Sequence, residues 1–211
     1  MADRPLPLRA PARDWRVRRM RHSRKLFCLS LMLALAACRS AMAEKPIRPV
    51  SHVDLPRYMG RWYVIASIPT RFGRDGYDQV ETYRLQPDGE IYTSFRFHDG
   101  EFSGPIKTIH SLATVVPGSG NAEWKVHLFW ALREQYIVGW LASDYSRVIV
   151  ARDARDYVWL MARTPQISAN DYRSMVARVR AMGYDIDELR KVPQEPATGA
   201  RAGWTGEAAS R

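Results

Sequence analysis

Cysteine is nearly missing from this 211-residue chain. Its two thiols, Cys28 and Cys38, fall in an N-terminal stretch that reads as a leader. The rest has none, which excludes a disulfide scaffold and a thiol nucleophile there. Long apolar runs are missing too. The longest, Leu26 to Ala37, is 12 residues, too short to cross a bilayer as a helix but suited to a signal-peptide core behind Arg21-His22-Ser23-Arg24-Lys25. Nor does the bulk of the chain carry an excess of one charge. Ten of its 32 Lys and Arg, but only two of its 22 Asp and Glu, lie in residues 1–43. The formal +10 is therefore a property of the leader, and a near-balanced remainder gives no electrostatic footprint for nucleic acid.

Catalytic signatures are also sparse. Gly118-Ser119-Gly120 lacks the spacing of a nucleophile elbow and reads as a turn, and no phosphate-binding glycine loop, HExxH or CxxC occurs. His98, His110 and His127 fall on outward positions without metal-ligand spacing, so no metal or cofactor is expected. Asp153 and Asp156 with Arg152 and Arg155 read as a charged turn. Repeats of 20 to 50 residues are not visible.

What is present is strand patterning. Gly60-Arg61-Trp62-Tyr63 opens GRWYVIASI, in which Trp62, Val64, Ala66 and Ile68 alternate with Tyr63, Ile65 and Ser67 until Pro69. Further runs follow at 79–86, 90–98, 106–116, 124–130, 134–142, 147–152 and 157–163, separated by Pro87-Asp88-Gly89, Asp99-Gly100 and Pro117 to Asn121. About eight strands in a meander is the number at which an antiparallel barrel can hold one small ligand. One helix follows, capped by Ser168 with Asp171, apolar at Tyr172, Met175, Val176, Val179 and Met182, and ended by Gly183. Its single stripe should pack outside the barrel, because the run at 157–163 is apolar on both faces.

Parity assigns the interior. Tyr83 on the second run, Phe95 and Phe97 on the third, Trp124, Val126, Leu128 and Trp130 on the fifth, Tyr136, Val138 and Trp140 on the sixth, and Tyr157, Trp159 and Met161 on the eighth should face a ligand cavity. Glu81 shares parity with Tyr83 and Leu85, which allows a polar contact at the mouth, but it reads first as an ordinary solvated glutamate.

Gly60-x-Trp62, the turn Asp144-Tyr145 and the strand-terminal Arg163 stand in the order of the three signatures of the lipocalins. The stretches YDQVETYRLQPDG and RDYVWLMARTPQIS resemble the bacterial outer-membrane lipoprotein subgroup of that family. The resemblance spans residues 52–194 and implies an all-β, eight-stranded up-and-down antiparallel lipocalin barrel with one C-terminal helix outside. It implies that Gly60, Trp62, Asp144, Tyr145 and Arg163 close one end, with Arg163 over the Trp62 indole as a cation–π plug. The missing disulfide departs from the pattern of many lipocalins.

Leu35-Ala36-Ala37-Cys38 is similar to the lipobox of bacterial lipoproteins. Residues 1–37 are then a signal peptide, Cys38 the lipidated first residue, 38–51 a tether, 52–194 the barrel domain and 195–211 a disordered tail. Cleavage after Ala43 and initiation at Met20 stay open. Arg39, not being Asp, implies export to the outer membrane and a lipid anchor on its periplasmic face. The expected partners are a fatty acid or lysophospholipid and the membrane, with a homodimer left open. Two alternatives remain: an envelope enzyme acting on a lipid or isoprenoid within the barrel, weakened by the missing nucleophile, and a structural lipoprotein with a filled core.

Overall fold

The computed structural model describes residues 45–69, 73–128 and 132–195, with the backbone alone at 132. The leader and Cys38, the loop residues 70–72, Trp130 and the tail beyond 195 lie outside the described residues.

A one-turn helix, α1 (Leu55–Tyr58), comes first. The Asp54 carboxylate accepts from the Arg57 amide, which caps the turn and buries Tyr58. Eight antiparallel strands follow: β1 (Gly60–Ile68), β2 (Gly76–Leu85), β3 (Ile91–Asp99), β4 (Ile106–Val115), β5 (Glu123–Leu128), β6 (Leu132–Leu141), β7 (Arg147–Ala151) and β8 (Val158–Ala162). Each pairs with the next, and β1 closes the barrel by pairing with β2 through residues 60–63 and with β8 through residues 63–68. Closure removes the open sheet edges of a meander.

Helix α2 (Ala169–Ala181) has Ser168 as its cap: the Ser168 hydroxyl accepts from the Asp171 amide at 3.0 Å and donates to its carboxylate at 2.8 Å. Met175 and Val179 are buried against the barrel wall, and Gly183 leaves the helix at φ +90°, a conformation that only glycine adopts without cost. A ninth strand, β9 (Arg190–Lys191), is not foreseen in the sequence. It pairs with Ala66 and Ser67, where β2 has left the edge of β1. Gln194 then donates to Val64 O and Gln79 O across that gap.

Two apolar layers result. One fills the barrel, with Trp62, Tyr83, Phe95, Phe97, Trp124 and Met161 among its members, and the other lies between the wall and α2. Register shifts interrupt simple alternation at three places, between Tyr77 and Val80 in β2 and, with a change of layer, in β1 and β6. In β1 the register with β8 shifts between Val64 and Ala66, so Trp62 and Val64 face inward, while Ala66 and Ile68, which alternation alone puts on the same face as Trp62, pack under the helix with Leu160 and Val158. In β6 the register with β7 shifts between Val138 and Trp140, across Gly139. This corrects the cavity assignment of Trp140. The extra residue turns its indole to the outer layer, where the Arg178 guanidinium sits 4.6 Å from the ring centroid.

Candidate ligand site in the barrel interior

At the closed end the chain folds one guanidinium over one indole. Arg163 directly follows β8, and its Cζ lies 3.8 Å from the Trp62 ring centroid. Its nitrogens donate to Arg61 O (2.8 Å), Arg57 O (2.8 Å), Tyr58 O (2.9 Å) and Tyr145 O (3.4 Å). Trp62 Nε1 also donates to Tyr58 O, at 2.9 Å. Gly60 holds φ +89°, and a Cβ there would stand 3.6 Å from the Arg163 guanidinium. The β6–β7 turn completes the group. Ser146 donates its amide and its hydroxyl to Asp144, holding that carboxyl below its usual range, while Tyr145 accepts from the Asp54 amide at 2.9 Å. This cluster joins α1, β1, β8 and the β6–β7 turn.

Above the plug lies a ring of aromatic side chains. Trp124 stacks on Tyr136 with centroids 4.4 Å apart and 3° between planes, and Tyr58 meets Trp124 edge-on at 5.4 Å. Their hydroxyls form a chain. Tyr136 donates to Tyr83 at 2.9 Å and shares its other bond with Tyr58 at 2.7 Å, so the proton of that bond comes from Tyr58. Burial pushes all three phenols above their usual range.

Glu81 lies on the same face of β2 as Tyr83, two residues before it, and overturns its reading as a solvated residue. It is 4% exposed, paired across the sheet with Trp62 on one side and Phe95 on the other. Burial pushes its carboxyl up to about 8, and its Oε2 has no hydrogen-bond partner among the described residues. At neutral pH it therefore keeps its proton.

Toward the open end the wall remains aromatic. Phe95 packs on Phe97 (5.1 Å) and stacks on Trp159 (5.8 Å), which in turn contacts Tyr157 (5.6 Å). The ion pair Arg152–Glu134 borders this region, with the guanidinium 5.1 Å from the Tyr157 centroid. A cleft of about 480 Å³ opens between the β1–β2 connection and the C-terminal segment, lined by Ser67, Gly73, Arg74, Gln79, Arg190 and Val192 among others. Gln79 pins the connection by donating to Gly73 O and Gly76 O.

The interior thus gathers Tyr83, Phe95, Phe97, Trp124, Tyr136, Val138 and Met161, with Val126 and Trp159 partly buried against them. Tyr157 is buried beside Trp159, and Leu128 is half-buried on β5. Sequence reasoning missed Tyr58, because α1 is too short to show a period, and missed Val148 and Val150, which also belong to this layer. Tyr58 stands four residues before Trp62 in the sequence, and that spacing is the available hint.

A model of the lipocalin-like domain matches residues 53–194. Temperature-induced lipocalin-1 of Arabidopsis thaliana is 33% identical over 159 residues, covering 72% of this chain and 84% of the relative. Outer membrane lipoprotein Blc of Citrobacter freundii is 32% identical over 161 residues, covering 76% and 90%. Among solved structures, insecticyanin from the tobacco hornworm Manduca sexta superposes with a TM-score of 0.55 at 14% identity, covering 72% of this chain and 86% of its own. At that identity the likeness shows the fold alone.

Proposed function

The chain belongs to the lipocalin family, in the subgroup that includes the bacterial outer-membrane lipoproteins. From that premise we propose that it binds a fatty acid or lysophospholipid inside the barrel and stores or carries it for envelope maintenance. Lipocalins bind small hydrophobic ligands and are in general not enzymes. The observation that carries the reading is an aromatic wall continuous from Trp159, Phe95 and Phe97 down to Trp124 and Tyr136, shut at one end by Trp62 and Arg163. Such a wall gives an acyl chain dispersion contact along its length and leaves one end for a polar head. The relatives named as outer membrane lipoproteins support placing this chain at the same membrane. In this reading Cys38 carries the anchor, while the later part of the expected 38–51 tether belongs to the domain itself: Ile47 is buried with its amide donating to Asp153, and Val50 N donates to Val138 O.

Native mass spectrometry of the full chain purified from its envelope tests the proposal. A bound lipid released on activation supports it. Bare protein that also takes up no lysophospholipid or fatty acid in solution would mean that the side chains themselves fill the barrel.

A further inference from the structure

A purely apolar lining would serve an acyl chain best, yet the floor of this barrel is not purely apolar. Glu81 projects from β2 at the level of Trp62 and Phe95, nine-tenths or more buried, with Oε2 unpartnered among the described residues. Two residues along the same face, Tyr83 ends the hydroxyl chain from Tyr58 through Tyr136. Because the Tyr136 proton is spent on Tyr83, the Tyr83 O–H is left to donate onward. Both side chains stand on the same face of β2, with Cα atoms about 6.5–7 Å apart, so their polar ends border one stretch of the floor. A single hydroxyl placed between them can accept from Tyr83 and donate to Glu81 Oε2.

Charge narrows the choice of partner. An ammonium would approach the Arg163 guanidinium, whose field reaches Tyr58, Tyr83 and Tyr136 in a medium of low dielectric. A carboxylate would have to give up its hydration to enter a floor walled by buried rings. A methyl terminus would leave Oε2 buried and unsatisfied. An uncharged hydroxyl meets none of these costs.

We infer that the floor of the barrel, at Glu81 and Tyr83, is a recognition site for an uncharged hydroxyl at the leading end of an otherwise apolar ligand. This rests on the proposal that the barrel binds such ligands at all. It makes the cavity selective for chains hydroxylated at the buried end, with a second polar group free to face the mouth.

Three probes that differ only at the leading end test it: dodecanoate, ω-hydroxydodecanoate and dodecanedioate, titrated by calorimetry into delipidated full chain and into Glu81→Leu and Glu81→Gln. Wild type is expected to bind the hydroxy acid about five- to tenfold tighter than dodecanoate, as one buried hydrogen bond implies, and the diacid most weakly. Glu81→Gln retains that order, and Glu81→Leu, which replaces an unpartnered polar group with an apolar one, stays folded and reverses the first preference. Equal affinity for dodecanoate and the hydroxy acid, unchanged by Glu81→Leu, overturns the inference while leaving the barrel a binding site. Failure of all three probes with every form overturns the binding proposal itself, and the inference with it.

Discussion

Removing Trp62 and Arg163 singly and together should reveal one energetic unit at the closed end. Trp62 is fully buried, touches the Tyr58 ring at 5.2 Å and donates to Tyr58 O, so Trp62→Ala is expected to cost about 3–5 kcal/mol as a large core truncation. Arg163→Ala loses bonds to four carbonyls and the ring face. Its bonds to Arg57 O and Arg61 O are exposed, however, and water can replace them. The single change should therefore cost less, about 1.5–3 kcal/mol. Two features couple the residues: the guanidinium lies 3.8 Å from the indole centroid, and both donate to Tyr58 O. A desolvated cation–π contact is worth up to about 2 kcal/mol, so the double variant should lose about 1–2 kcal/mol less than the sum of the singles. Urea unfolding of the four forms, with Trp62→Phe as a milder alternative, measures the cycle. Additivity to within about 0.5 kcal/mol would refute the plug. Arg163→Lys is informative beside it, because an ammonium keeps the charge but cannot stack and span several carbonyls at once, so it should restore only a minor part of the loss.

Three further outcomes follow from other parts of the molecule. Glu81 is protonated in the folded protein up to about pH 8 but ionises near its ordinary 4.5 when unfolded, so the unfolded state binds fewer protons between those values and stability falls as pH rises. Between pH 5 and 8 wild type should lose about 3–4 kcal/mol relative to Glu81→Gln in urea midpoints, and parallel curves would remove the case for a buried neutral acid. At the β6 bulge, a Cβ on Gly139 would stand 3.0 Å from the flexible tip of Met182, so Gly139→Ala should cost under about 1 kcal/mol and Gly139→Val about 1–3 kcal/mol in thermal unfolding. Equal tolerance of both would mean that α2 does not press on this site. Cys38→Ala should shift the protein from the membrane fraction to the soluble fraction of the envelope, and unchanged fractionation would refute lipidation at that residue.

The barrel was legible because its signals are local. Period-two runs gave the eight strands to within a few residues, and the Ser168 to Gly183 stretch gave α2. Two kinds of information were out of reach. A bulge is a property of two paired strands, so nothing within VGWL announces that Gly139 turns Trp140 outward, just as nothing in VIAS announces the shift at Ile65. Glu81 illustrates the other kind. Its parity with Tyr83 was visible, but solvation is the ordinary fate of a glutamate, and only closure of the barrel around Trp62 and Phe95 buries it. Strand β9 was missed for a related reason: two residues carry no period, and they pair only because β2 has departed from β1.

The central claim is that an apolar ligand occupies the barrel interior. Titrating delipidated protein with a lysophospholipid while following tryptophan emission tests it most directly, since Trp124 and Trp159 line that interior. A saturable one-to-one change is expected, weakened at least tenfold by Phe97→Arg, which sets a charge among buried rings, and left intact by Lys125→Glu on the exposed face. A change that does not saturate, or one that responds equally to both substitutions, would contradict binding inside the barrel.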